Sequence, residues 1–340
     1  MQTPIAALPF WKFGPWTPIP GLDWLKFHSF GMFVAIGLIV CLAAATRRGE
    51  RKLGMDGIEV QDFGIILIVV GWIFAHIFNV LFYTPGKILE NPLVLLNPFG
   101  SISSYGGLLG GIIGLWIWHF RNPDKDVLLW TDHAVWTLTF AWFFGRVGCT
   151  SVHDHLGVQA PAWFPLAFDV PARWGGAIRF DLGFLEAIWW LVIVATVVLL
   201  DRRPRKRGFF MAIVPLMYAP VRFVLDFLRL WPLPDGDGYD VPAHAQYVLD
   251  LFDTHPESLV SYQGKLYRVT PDALAAGEIP EKVLLYGEAW FADTRYLGFT
   301  PAQFLSMVLF GFGIYMTVRI QDEETVEWEE FDPEDRDAPE

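Results

Sequence analysis

The chain has 340 residues, of which 53% are hydrophobic and only 18% charged, with 16 Trp and 29 Phe. That balance excludes an ordinary soluble globular domain, which carries more charge and less apolar bulk. The net charge of −12 is largely local, since Gln321 to Glu340 holds eleven acids against the single Arg336, and no basic stripe suits a nucleic acid.

The first residues, with Pro4, Pro9 and Trp11, lack the cationic segment and small-residue cleavage site of a signal peptide. The first apolar run is therefore expected to stay as an anchor. Apolar segments follow near 30–46, 62–83, 105–120, 129–149, 182–200, 209–228 and 297–318. All but the short, Gly-rich third match a hydrocarbon core of about 30 Å comfortably. The expected fold is an all-α polytopic membrane protein of about seven transmembrane helices. The dense basic clusters at 47–52 and 202–207 fall on one side together with Arg121, Lys125 and Arg319. By the positive-inside rule that side is the cytoplasm, which puts the N-terminus outside and the C-terminus inside. The membrane core is expected at 1–231 and 297–320. Between them, 232–296 is polar, with Asp235-Gly-Asp237-Gly-Tyr-Asp240 and an alternating stretch from Ser261 to Val269. It reads as a small periplasmic insert with some strand. The aspartates lack the closing glutamate of an EF-hand and read as a turn. Residues 321–340 read as a disordered acidic tail.

The chemistry concentrates at Gly145-Arg146-Val-Gly148-Cys149-Thr-Ser-Val152-His153-Asp154-His155-Leu-Gly157, at the outer end of the fourth apolar run. An arginine there needs an anion, and a lipid phosphate is the commonest one available. The flanking glycines allow backbone to approach a ligand. Cys149, His153 and His155 supply too few ligands for zinc, so no metal is expected. The sixth run carries Tyr218 and ends Arg222-Phe-Val-Leu-Asp226-Phe-Leu-Arg229. Arg222 and Asp226 are four apart and share a helix face. Glu186 enters the fifth run near the same outer boundary. The third run opens Tyr105-Gly106-Gly107-Leu108-Leu109-Gly110-Gly111, a close-packing pattern with an interfacial tyrosine. Thr300, Gln303 and Ser306 recur every third residue and form a stripe suited to face protein.

In these motifs and in the order of its runs, the chain resembles bacterial prolipoprotein diacylglyceryl transferases. The resemblance covers about residues 20–230 and 297–320. Gly145, Arg146, Gly148 and Gly157 stand in register with that family's Gly-Arg-x-Gly-Asn motif, while Cys149 and Val152 replace asparagines and Asp154 replaces a glutamate. Tyr105-Gly106-Gly107-Leu108 stands for the family's His-Gly-Gly-Leu, and Arg222 to Arg229 for its Arg-Phe-x-x-Glu-Phe-x-Arg. Glu186 corresponds to the acid of the fifth span.

The resemblance implies a multi-pass enzyme of the bacterial inner membrane. It would move the diacylglyceryl group of phosphatidylglycerol to the lipobox cysteine of a prolipoprotein signal peptide, forming a thioether and releasing glycerol phosphate. No cofactor is implied, because the substrate supplies the attacking sulfur. Arg146, Arg222 and Arg229 would stabilise the departing phosphate. Asp154, Asp226, His153 and Tyr105 remain open as the group that takes the thiol proton, with headgroup orientation favoured for Tyr105. Gly106, Gly107, Gly148, Gly157, Cys149, His153, Tyr218, Glu186 and Arg229 are expected to contact substrate. The competing readings are a diverged relative with another acceptor or no activity, and a transporter. A transporter predicts internal repeats, and the sequence has none that we detect.

Overall fold

The computed structural model describes residues 7–14, 16, 27–83, 88, 91–96, 102–153, 155–161, 163–170, 178–229, 260–262, 265–267 and 297–326. Its frame is a set of long helices: α1 (Ser29–Lys52), α2 (Gly57–Tyr83), α3 (Ser104–Arg121), α4 (Val127–Val152), α5 (Leu182–Leu200), α6 (Phe209–Leu225) and α7 (Pro301–Arg319). Each apolar run of the sequence lies on one of them. Five helical segments are long and apolar enough to cross a bilayer, beginning at Ser29, Gly57, Leu182, Phe209 and Ala302. The other two, α3 and α4, have 18 and 26 residues, about 27 and 39 Å of helix. The molecule is a mostly helical, polytopic membrane protein.

Contacts divide the chain into two units. One comprises Met1–Ile36, Trp142–Ile193 and Leu216–Gly311, the other Gly37–Ala141, Val194–Pro215 and Phe312–Glu340.

In the first unit a small sheet accompanies the helices, which the apolar pattern alone did not announce. Its strands are β1 (Leu8–Pro9), β2 (Leu156–Gln159), β3 (Phe168–Asp169) and β4 (Ile178–Asp181), in the order β1-β3-β4-β2. β1 and β3 are parallel, the other pairs antiparallel, and the β2–β4 register shifts between Leu156 and Gln159. Leu156, Phe168 and Val170 form its core, with Leu8, Phe10 and Phe184 against them. The strands are too short to show as periodic runs.

In the second unit α2 and α3 cross closely. A Cβ on Gly110 would stand 2.7 Å from both the Val70 carbonyl oxygen and Phe74 Cβ, and one on Gly106 would strike the Phe74 carbonyl oxygen. The glycines of α3 therefore serve a helix crossing. Ala45, Val60, Phe63, Trp118 and Trp130 form an apolar cluster nearby. α1 continues beyond its apolar run through Lys52 because Arg48 Nε and Lys52 Nζ reach Asp201 Oδ1 and Oδ2 at 2.9 and 2.7 Å. Asp56 and Asp126 cap the N-termini of α2 and α4 by accepting backbone N–H bonds from Ile58 and Glu59, and from Leu128 and Leu129.

Of the 232–296 segment the structure describes one hairpin, β5 (Val260–Tyr262) with β6 (Lys265–Tyr267). The aspartate run at 235–240 lies outside the described residues. The acidic segment read as a disordered tail starts as ordered chain: Val326 N–H donates to the Arg205 carbonyl, and Lys206 bridges to Thr325. Residues 327–340 lie outside the described residues.

Candidate functional site

The site grows from α4, which runs on through the Gly-Arg-Val-Gly motif to Val152. Arg146 is thus a helical residue, with its carbonyl bonded by the Thr150 hydroxyl at 2.9 Å. Its Nε meets Glu186 Oε2 of α5 at 3.0 Å. The other oxygen of that carboxylate, Oε1, meets Arg222 Nη1 of α6 at 2.7 Å. Arg222 Nη1 also reaches Asp226 Oδ1 at 2.9 Å, one turn on, and Arg229 Nε meets the same oxygen at 2.7 Å. The Thr300 hydroxyl donates to Asp226 Oδ2. These residues form one chain of charge, Arg146–Glu186–Arg222–Asp226–Arg229, of three cations and two anions.

The chain is buried: Glu186 and Asp226 side chains are 1% and 0% exposed, and those of Arg146 and Arg229 both 11%. A buried charge persists only when paired, and here each carboxylate serves two guanidiniums. Tyr218 OH donates to Glu186 Oε2 at 3.3 Å and lies among Trp142 and Trp190, with ring centroids 6.3 and 4.8 Å away. Tyr218 thus holds Glu186 and walls the site with aromatic surface. The Tyr218 hydroxyl reaches the charged chain through Glu186.

Two further turns of chain complete the frame. Thr300 and Gln303 cap α7 reciprocally, with Gln303 N–H donating to Thr300 Oγ1 at 3.1 Å and Thr300 N–H to Gln303 Oε1 at 2.9 Å. That capping box fixes the hydroxyl that meets Asp226. Gly157 pairs by a backbone bridge with Arg229, and a Cβ there would stand 2.5 Å from the Leu228 carbonyl oxygen. Gly157 therefore fits as the residue against which the Arg229 turn closes.

Several sequence-derived candidates take other places. Gly148 lies against α1, where a Cβ would stand 3.2 Å from Phe30 and 3.3 Å from Phe33 Cβ. Its smallness serves helix packing there. Gly106 likewise packs against α2, and Gly107 faces Ala75 Cβ at 3.8 Å across the same crossing. His153 has a left-handed φ of 51° and is 3% exposed. Its Nδ1 meets Asp181 Oδ2 at 2.5 Å and its Nε2 meets the Trp11 carbonyl at 2.5 Å. Phe10 stacks on the ring at 4.2 Å. Both nitrogens are thus engaged, and His153 ties the N-terminal segment to β4 instead of meeting a substrate thiol. Asp181 also caps α5 through Phe184 N–H at 2.9 Å. Asp226, a candidate base, has both oxygens occupied by Arg222, Arg229 and Thr300. Cys149 is buried, with Sγ 3.9 Å from Arg146 Nη1. Asp154 lies outside the described residues, as does the side chain of Tyr105, which occupies the first turn of α3. No cluster of three metal-ligating side chains occurs among the described residues.

Sequence reading missed Thr300 as a partner of Asp226 and Asp181 as a partner of His153. The every-third-residue polar stripe was the signal for Thr300. Nothing local in the sequence pointed to Asp181.

Apolar helices that carry a buried chain of arginines and carboxylates define a polytopic membrane protein with a charged interior site. The chain belongs to the prolipoprotein diacylglyceryl transferase family, whose model matches residues 21–244. It is a transferase of lipoprotein biosynthesis. The match includes all five members of the charged chain. Among similar proteins is the phosphatidylglycerol–prolipoprotein diacylglyceryl transferase of Idiomarina loihiensis, 27% identical over 234 residues, covering 65% of this chain and 83% of that one. Proteins of the same name from Acinetobacter baumannii and an Azoarcus species are each 26% identical, over 228 and 211 residues. They cover 63% and 60% of this chain, and the matches span 78% and 77% of theirs.

Proposed function

We propose that this transferase moves the diacylglyceryl group of phosphatidylglycerol to the lipobox cysteine of a prolipoprotein in the bacterial inner membrane. In this reading α1 to α7 all span, the N-terminus faces outward and the C-terminus the cytoplasm. The membrane core is 1–231 with 297–320, the 232–296 insert is periplasmic, and the acidic tail is cytoplasmic.

The observation that carries the reading is the sharing of Glu186 by Arg146 and Arg222 at 3.0 and 2.7 Å. The five-residue chain sums to one positive charge, three arginines less two carboxylates. A phosphodiester headgroup carries one negative charge and completes the balance. The lipobox sulfur, having lost its proton, attacks as thiolate the diacylglyceryl carbon that bears the phosphate oxygen, an S–C bond forms, that C–O bond breaks, and glycerol phosphate leaves with the bonding pair. Charge grows on the phosphate oxygens as that bond breaks. Arg146 meets that charge, because its Nε is held by Glu186 while its planar fork binds phosphate oxygens in pairs. Arg222 is held by two carboxylates and sets the position of both neighbours. Arg229 closes the outer end. An excess of fixed positive charge also favours the thiolate over the thiol. The low-dielectric surroundings strengthen each of these interactions.

The test is replacement of the native transferase in a depleted bacterial strain, with Arg146→Ala alongside. Rescue by this chain and failure of well-expressed, membrane-inserted Arg146→Ala supports the reading. No rescue by well-expressed native chain, together with no thioether formed from phosphatidylglycerol and a lipobox peptide in vitro, overturns it.

A further inference from the structure

The basic run that closes α1 divides by face. Arg48 and Lys52, four apart, both turn to Asp201. Arg47 and Arg51, also four apart, are exposed and make no ion pair or hydrogen bond among the described residues. They line a cavity of about 430 Å³ with Glu50, Gln61, Leu42 and Ile65.

α1 and α2 form its walls. They are joined by the short turn 53–56 and packed tightly, since a Cβ on Gly64 would stand 2.6 Å from Leu42 Cδ2. From the cavity toward the middle of both helices the surface turns apolar. Ile39 is 67% exposed, Ile65 49% and Val69 50%. Residues 39, 43 and 47 of α1 and 61, 65 and 69 of α2 repeat every four positions, so each set keeps to one face. Ile39 to Arg47 is eight residues, about 12 Å of helix. The groove is therefore charged at its mouth and apolar below for the length of several methylene groups.

In a membrane protein this exposed apolar strip meets lipid. Two exposed guanidiniums at the end of such a strip stand at headgroup level, where basic residues attract lipid phosphate. We infer that the α1–α2 cavity is a second lipid site, in which Arg47 and Arg51 hold the phosphate of a phospholipid headgroup and one acyl chain lies along Ile39, Ile65 and Val69. Glu50 and Gln61 face the polar group beyond the phosphate. The site shares no residue with the Arg146 chain and does not depend on the reaction proposed there.

Native mass spectrometry of the delipidated full-length protein in detergent tests this. The probes are dioleoyl phosphatidylglycerol, dioleoyl phosphatidylethanolamine, cardiolipin and inorganic phosphate. The native chain should retain two phospholipids. R47Q/R51Q should retain one, with affinity for the other roughly thirtyfold weaker, as expected for losing two cationic contacts at a membrane surface. R146Q should leave the lipid held by Arg47 and Arg51 in place. R47Q/R51Q should keep native transferase turnover, which reports an intact fold. Should that variant fail to fold, R47K/R51K keeps charge without the fork and should weaken the site severalfold. Equal binding of phosphatidylglycerol and phosphatidylethanolamine would assign recognition to the phosphate, and preference for the anionic lipids to net charge; both support the site. Unchanged stoichiometry and affinity in the folded variants would overturn it. So would inorganic phosphate competing as well as the lipids do, which would mark a simple anion site.

Discussion

Removing Arg146 tests the proposed chemistry with the least damage to the frame. In Arg146→Gln, Glu186 loses the 3.0 Å contact to Nε but keeps Arg222 at 2.7 Å and the Tyr218 hydroxyl at 3.3 Å. The carboxylate is still paired, so the variant avoids the 3–5 kcal/mol or so that an orphaned buried charge costs. It should fold and insert, with its thermal midpoint lowered by a few degrees. The loss falls on the transition state instead. A positioned donor to a developing oxyanion contributes about 3–4 kcal/mol, so kcat should drop roughly 100- to 1,000-fold. Arg146→Lys retains charge but not the planar fork, and should fall between the two.

The assay is turnover of a fluorescent lipobox peptide in vesicles containing phosphatidylglycerol, read by thioether formation and by release of glycerol phosphate. A bound phospholipid count and a circular dichroism melt on the same preparation separate chemistry from folding. A folded Arg146→Gln protein with kcat within threefold of native would refute the phosphate role. A fall in KM-weighted activity with kcat intact would move Arg146 from transition-state stabilisation to ground-state binding.

Other expectations follow from neighbouring contacts. Thr300→Val removes a hydroxyl bond to a buried carboxylate, worth about 1.5–3 kcal/mol, together with half of the α7 capping box; thermal melts should show the loss, and Thr300→Ser should restore most of it. Gly110→Val should abolish stable insertion, because its side chain would meet the Val70 carbonyl oxygen and Phe74, whereas Gly111→Ala, with nothing within 4 Å, should be silent in the same expression and melting assay. Asp126 is partly buried, which opposes its charge, but the Arg207 bond and the amides of Leu129 and Leu128 outweigh burial and hold its carboxyl below the usual range. Since the folded value is depressed, its stabilisation is present above about pH 4 and is lost as pH falls through the folded value; the melting gap between native protein and Asp126→Asn should therefore narrow on acidification from about pH 6 to pH 3.

The helices were legible because each carries an apolar run, five of them of membrane length among the described residues, and that signal is local. Their ends were less so. α1 extends to Lys52 on account of Asp201, a partner 149 residues away. The pairing of Arg222 with Asp226 could be read from four-residue spacing, whereas the sharing of Glu186 between α4 and α6 required the packing of three helices. Glycine was the least legible residue. Gly106, Gly148 and Gly157 all belong to motifs, yet each meets protein rather than open space. A motif records that a side chain is excluded, and it does not say whether a ligand or a neighbouring helix excludes it.

The charge sum gives that packing a purpose. A balanced set of arginines and carboxylates would be self-sufficient and would hold a headgroup poorly. Three unpaired arginines would repel one another in a buried site and destabilise the fold. Two carboxylates between three guanidiniums avoid both outcomes, since every cation has a partner and one positive charge remains for the ligand. The position of that excess follows from the geometry. Arg222 lies between both acids, while Arg146 meets Glu186 and Arg229 meets Asp226 at the two ends. In the proposed reaction a phosphate entering the site is drawn to the ends of the chain, and of these Arg146 is the one carried on a long helix. Exchanging Glu186 for Gln should raise affinity for phosphatidylglycerol while lowering turnover, because a second uncompensated charge tightens the ground state and releases Arg146 from its position. Weaker lipid binding in a folded Glu186→Gln protein would show that Glu186 acts on the headgroup directly, and the account of it as the holder of Arg146 would fail.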